Sequence, residues 1–149
     1  MSDAENGGVL PKPKIDQSEV EKYRRIYEEL LGFVPPRIQA RTDLLSRLDP
    51  EFLSLQEEIR KQGMYPDVFD VKTVQLMLFG MLLLSLRDAA RIHGIAARRA
   101  GATWEEMQAV VNLAYLYGGL SAANIGAQFI QQIAEMEAEQ EVGATGGQA

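Results

Sequence analysis

LMLFGMLLLSL, residues 76–86, is the most apolar stretch of the chain, and its length decides what it can be. Eleven residues cannot cross a bilayer, which needs about 20. The run therefore reads as a helix buried on all sides, in a core or in an oligomer interface. Upstream of it, residues 63–70 form a loop whose last residue, Asp70, can cap the apolar helix. Downstream, residues 85–88 interrupt it. The next segment, roughly residues 87–99, carries the chain's single histidine, His93, and stops at Gly101.

Moving outward, helix punctuation recurs. Thr103 with Glu106 is a capping box, and Trp104, Met107, Val111 and Ala114 give that helix an apolar face. Gly118-Gly119 breaks it, and Ser121 can cap a last helix that carries Ile125, Phe129, Ile133 and Met136 inward. On the N-terminal side, Ser18 with Glu21 matches the capping box, and Val20, Tyr23, Tyr27, Leu30 and Leu31 fall at helical spacing up to the C-cap glycine Gly32. Pro35-Pro36 opens a second helix, roughly residues 37–47. Asp49-Pro50 begins a third, with Phe52, Gln56 and Ile59 along one side. No segment sustains strand alternation. The expected fold is all-α, a single domain of six to seven helices over residues 17–141, with a disordered tail over 1–16 and a frayed end over 142–149.

Composition removes several chemistries. The 149 residues include no cysteine, so disulfides, thiolate metal sites and cysteine nucleophiles are excluded. The charge of -6 and the absence of a basic block argue against a nucleic-acid surface. The polar N-terminus has no apolar stretch resembling a signal peptide, and the expected location is cytoplasmic, with no membrane partner. One histidine with no carboxylate three or four residues away makes a weak case for a metal. A phosphate loop would need a strand before it. Neither metal nor cofactor is expected.

His93 is the first candidate for chemistry. On an ideal helix its neighbours are Ala89, Ala90, Ala96 and Ala97, which leave room beside the imidazole for a pocket. The alternative is a part-buried histidine bonded to a backbone carbonyl. Arg91 and Arg98 point about 140–160° away from it and read as a solvated or intersubunit face. Arg37 and Arg41, one turn apart after the Pro-Pro break, could clamp a carboxylate or stand as a surface pair. Tyr117 and Asn124 flank the glycine break and could line a cleft, or satisfy local backbone groups.

From about Leu31 to Ile133 the chain resembles the carboxymuconolactone decarboxylase family, which also contains the alkylhydroperoxidase D-type proteins. The residues that carry the likeness are Leu31-Gly32, Asp49-Pro50-Glu51, Lys72-Thr73, His93 and, most specifically, AARRAGATWEEMQAV at 96–110. GGLSAAN at 118–124 follows, with Ser121 in place of a proline. Peroxidase-like members carry a Cys-x-x-Cys pair before the histidine. Leu86 and Ala89 occupy those positions here, so the resemblance implies no thiol peroxidase. Gln75 stands where thiol-type relatives often have glutamate.

The decarboxylase branch implies a cofactor-independent lyase acting on a small carboxylated lactone or ring compound of the 4-carboxymuconolactone type. Loss of carbon dioxide leaves a delocalised carbanion that the protein must stabilise and protonate. In that reading His93 is the proton donor or electrostatic stabiliser. Arg37, which falls where decarboxylases tend to place an arginine, and Arg41 contact the substrate carboxylate. Ala89 and Gly63-Met64-Tyr65-Pro66 depart from the decarboxylase pattern. The alternatives are a proton-transfer isomerase, cyclase or hydratase on the same scaffold, and a non-catalytic ligand-binding or assembly protein. The family further implies a homo-oligomer, a trimer or hexamer.

Overall fold

A computed structural model describes residues 8–147. Six helices make up the described fold: α1 (Gln17–Leu31), α2 (Pro36–Leu48), α3 (Pro50–Met64), α4 (Val71–Leu84), α5 (Ala89–Arg99) and α6 (Trp104–Gly146). No strand occurs among the described residues. None of the helices searched there is long and apolar enough to cross a membrane. The chain divides into two compact units, one ending at Met64 and one starting at Tyr65.

In the first unit, α1 begins one residue before Ser18, the cap expected from sequence. Asp16 is the N-cap: its carboxylate accepts from the Ser18 N–H at 3.5 Å, and its carbonyl accepts from Glu19 N at 3.0 Å. Aspartate is as good an N-cap as serine. With Ser18 inside the helix, Glu21 instead accepts from the Gln17 amide at 2.8 Å. Gly32 ends α1 at φ 82°, in the left-handed region. Pro36 is the first residue of α2, where its missing N–H costs nothing.

Asp49 caps α3 by accepting from Phe52 N at 3.1 Å. The Phe52 and Ile59 stripe of that helix is exposed, at 50% and 72%, while Leu53 and Glu57 are buried. The stretch expected as a tail is tied to α2 over part of its described length. Lys14 N donates to Ser46 O at 2.8 Å, Lys14 Nζ to Leu48 O at 3.0 Å, and Arg47 to Pro11 O at 2.8 Å.

The second unit packs α4, α5 and α6 against one another. Asp70 caps α4 through Thr73 N at 2.7 Å. Val74, Gln75, Phe79 and Leu83 face inward. On the opposite side Met77, Met81 and Leu84 are exposed. The interruption after α4 contains Leu86 at φ 50°, a left-handed conformation uncommon for a leucine. α5 lies close against its neighbours because its buried face is Ala90, Gly94, Ile95, Ala96 and Ala97. A methyl group at Gly94 would come within 2.7 Å of Ile133 Cδ1 and 3.2 Å of Met107 Cε.

The Thr103–Glu106 capping box forms in full at the start of α6. The break expected at Gly118-Gly119 narrows to Gly119 alone, at φ 70° and ψ -162°, inside an otherwise helical run. Only glycine adopts such a conformation cheaply. α6 stays helical through the residues expected to fray, as far as Gly146.

Candidate functional site: a histidine held by a buried amide

His93 sits in the middle of α5, part-buried, with buried Gly94 beside it and buried Ala90 and Ala97 one turn away on either side. Those small residues let α5 approach α4, and the approach brings the imidazole to Gln75. Their separation is 2.7 Å between His93 Nδ1 and Gln75 Oε1. Gln75 is fully buried on α4, and its Nε2 has no hydrogen-bond partner. A buried amide is ordinarily satisfied at both ends. The half-satisfied amide therefore marks a place where orientation of the ring is maintained at some cost to stability.

The other candidate residues belong to other helices. Arg41, in the first unit, has its guanidinium engaged on three sides. It bonds to Gln56 Oε1 at 2.7 Å, to the Tyr27 hydroxyl at 2.9 Å, and to the buried carboxylate of Glu57. Tyr27 in turn donates to Glu57 Oε1 at 2.9 Å, and the Arg60 guanidinium lies 3.9 Å over its ring. Burial above all pushes the Tyr27 phenol up to about 12. Arg37 is exposed on the first turn of α2, in that same unit.

Tyr117 and Asn124 are both exposed on α6, on either side of Gly119. Tyr117 lines a groove of about 570 Å³ between α4 and α6, together with Met81, Leu84 and Leu113. Lys72 and Glu106 pair at 2.8 Å at its polar end. Their hydrogen bond raises the Lys72 pKa and lowers that of Glu106. Neither His93 nor Asn124 lines this groove. Arg98, expected on a solvated face, reaches Glu137 at 2.8 Å and stacks 3.7 Å over Trp104. No cluster of three or more potential metal-ligating side chains occurs among the described residues.

Sequence reasoning noted Gln75 only through its place in a resemblance and did not pair it with His93. The signal was present in the composition of α4. Gln75 is the amide just before the apolar run Leu76–Leu86, one helical turn ahead of the buried Phe79.

The fold and site define an all-helical protein without thiols, whose one imidazole is anchored to a neighbouring helix by a neutral side chain. The chain belongs to the carboxymuconolactone decarboxylase family: the family model matches residues 50–132, more than half of the chain. The match begins at the first residue of α3 and ends within α6. It contains Gln75 and His93 and leaves Arg37 and Arg41 outside. No curated protein and no solved structure matches the chain.

Proposed function

We propose that this protein is a cofactor-independent lyase of the decarboxylase type, acting on a small carboxylated lactone or ring compound, with His93 as its proton-transfer group. Membership of the family supports the class of reaction. The observation that carries the assignment to His93 is its 2.7 Å bond to the buried Gln75, which orients the ring as a general acid or base requires. Arg41 is committed to Glu57 and enters this reading as a structural residue.

The test is release of carbon dioxide from 4-carboxymuconolactone and related lactone acids. His93→Asn should keep the fold and lose about 10²–10⁴-fold in rate, the usual share of a positioned proton-transfer group. Unchanged turnover in that variant sinks the assignment. Isomerisation without loss of carbon dioxide is the second reading. It is favoured by the neutral side chain at His93 Nδ1, and solvent deuterium appearing in unconsumed ring substrate would identify it.

We also propose that the protein self-associates, as a trimer or hexamer, through the surface formed by α4 and the first half of α6. Met81 and Leu84 there are 55% and 45% exposed, and Leu113, Leu116 and Leu120 are 63–70% exposed. A contiguous apolar surface of this kind marks an interaction site. Light scattering should show at least a trimer, and Leu116→Glu should shift it to smaller species. A clean monomer at micromolar concentration contradicts the proposal.

A further inference from the structure

We propose that Gln75 is a positioning residue that fixes the tautomer of His93, so that the ring meets its substrate with a proton on Nδ1 and a lone pair on Nε2. The inference rests on the reading of His93 as the proton-transfer group and specifies the direction in which it works.

A glutamine carbonyl oxygen has no hydrogen to give, so the nitrogen 2.7 Å from it must supply one. The hydrogen bond made by one ring nitrogen decides which nitrogen is protonated. Gln75 is fully buried on α4, so water cannot substitute for it as the acceptor at Nδ1. α5 packs closely against the rest of the unit: a methyl group at Gly94, the next residue, would come within 2.7 Å of Ile133 Cδ1. Rotating the amide end for end would place an N–H₂ against Nδ1 and reverse the tautomer. The observed orientation leaves Gln75 Nε2 without a partner instead.

The partner is also neutral. A carboxylate at this position would favour the imidazolium through its charge, whereas an amide orients the ring without that bias. Gln75 thus leaves Nε2 as the ring nitrogen that exchanges a proton with the substrate. In a decarboxylation the substrate carboxylate is already ionised, and Nε2 takes up a proton from solvent water. The C–C bond breaks with its electron pair left on the ring carbon, and carbon dioxide departs. Nε2–H then protonates that carbon, and the imidazole ends in the tautomer in which it began. Throughout, Nδ1–H stays bonded to Gln75.

Because the chain has one histidine, a long-range proton–nitrogen correlation spectrum of the full-length protein labelled with ¹⁵N-histidine reports His93 alone. The resting protein, with no substrate, should show a protonated Nδ1 and a bare Nε2. Gln75→Leu, close in volume but unable to accept, should lose that tautomer. Gln75→Glu, which keeps an oxygen facing the ring, should retain the proton on Nδ1.

An Nε2–H tautomer in the wild type overturns the proposal, as does an Nδ1–H tautomer that persists in Gln75→Leu. If circular dichroism shows that the leucine variant does not fold, the other two spectra decide, and a bare Nδ1 in either overturns it. The spectra need no turnover, so a negative decarboxylase assay leaves this result standing. Conversely, a wrong tautomer leaves the lyase assay to be judged by His93→Asn.

Discussion

Among the described residues, four of the five buried polar or charged side chains, Arg24, Thr42, Ser46 and Glu57, belong to the first unit; the second has Gln75. In the first unit the polar groups satisfy one another. Arg24 donates to Thr42 Oγ1 at 2.9 Å and to Asp43 at 2.7 Å, and Arg41, Tyr27 and Glu57 close a second cluster. In the second unit the buried side of α5 is alanine, glycine and isoleucine; Lys72–Glu106 and Arg98–Glu137 pair between its helices, and the fully buried polar side chain is one amide, set against the imidazole. A side chain locked into several charge-assisted bonds is a poor reagent, because using it means breaking them. An imidazole held at one nitrogen by a neutral group can exchange a proton at the other while that anchor stays in place. The contrast separates a buried cluster in which charge holds structure from a buried amide that holds an imidazole by one nitrogen.

The sharpest way to break that contrast is Glu57→Ala. It strands Arg41 and the Tyr27 hydroxyl without their carboxylate, and removal of one partner from a buried pair typically costs about 3–5 kcal/mol. Urea unfolding should show the midpoint falling by a corresponding amount. A loss under about 1 kcal/mol would mean that the cluster is not what holds the first unit.

In the second unit the equivalent probe is volume rather than charge. Gly126→Ala would put a methyl group 2.7 Å and 2.9 Å from the two branches of Val111, a stiff side chain. Overpacking of this kind costs about 1–3 kcal/mol. Gly94→Ala meets the flexible ends of Ile133 and Met107 and should fall at the low end of that range. Melting temperatures of the two variants test the order, and equal losses would show that side-chain stiffness does not set the cost here.

The smallest effect is in alkali. The Tyr27 phenol stands at about 12 in the fold against an ordinary 10.0. Between those values the unfolded chain releases the proton and the folded one keeps it, so stability is fully present below pH 10 and declines as pH rises toward 12. Tyr27→Phe should lose roughly 0.5–1.5 kcal/mol at neutral pH with the hydroxyl's hydrogen bond. It should also flatten the alkaline decline, as followed by denaturant midpoints across that range. A decline of unchanged slope in the variant would assign it to other groups.

Much of the helical layout was legible because its signals are local. Asp70, Thr103 with Glu106, Gly32 and the Gly118-Gly119 break all act on backbone within a few residues of themselves. Ser18 is not the cap because Asp16, as good a cap, stands two residues earlier, and the capping-box pattern does not register it. The exposed side of α3 misled for a different reason: Phe52 and Ile59 satisfy the apolar template, while the buried side contains Glu57, which becomes acceptable inside only because Arg41 and Tyr27 meet it from other helices. The same applies to the site. His93 stood out as the only residue of its kind, but its partner lies 18 positions earlier, and a contact between α4 and α5 has no periodicity along the chain.

The second unit joins its helices by short connections, residues 85–88 between α4 and α5 and residues 100–103 between α5 and α6. Each helix thus meets partners that are near it along the polypeptide, and the loops that must close are small. Topologies of this kind have low contact order, and helical proteins built from local contacts assemble on the microsecond-to-millisecond scale. The imidazole–amide pair closes across the first of these connections, so the geometry at His93 can form early, as part of a two-helix hairpin, without waiting for the distant ends of the chain to find each other.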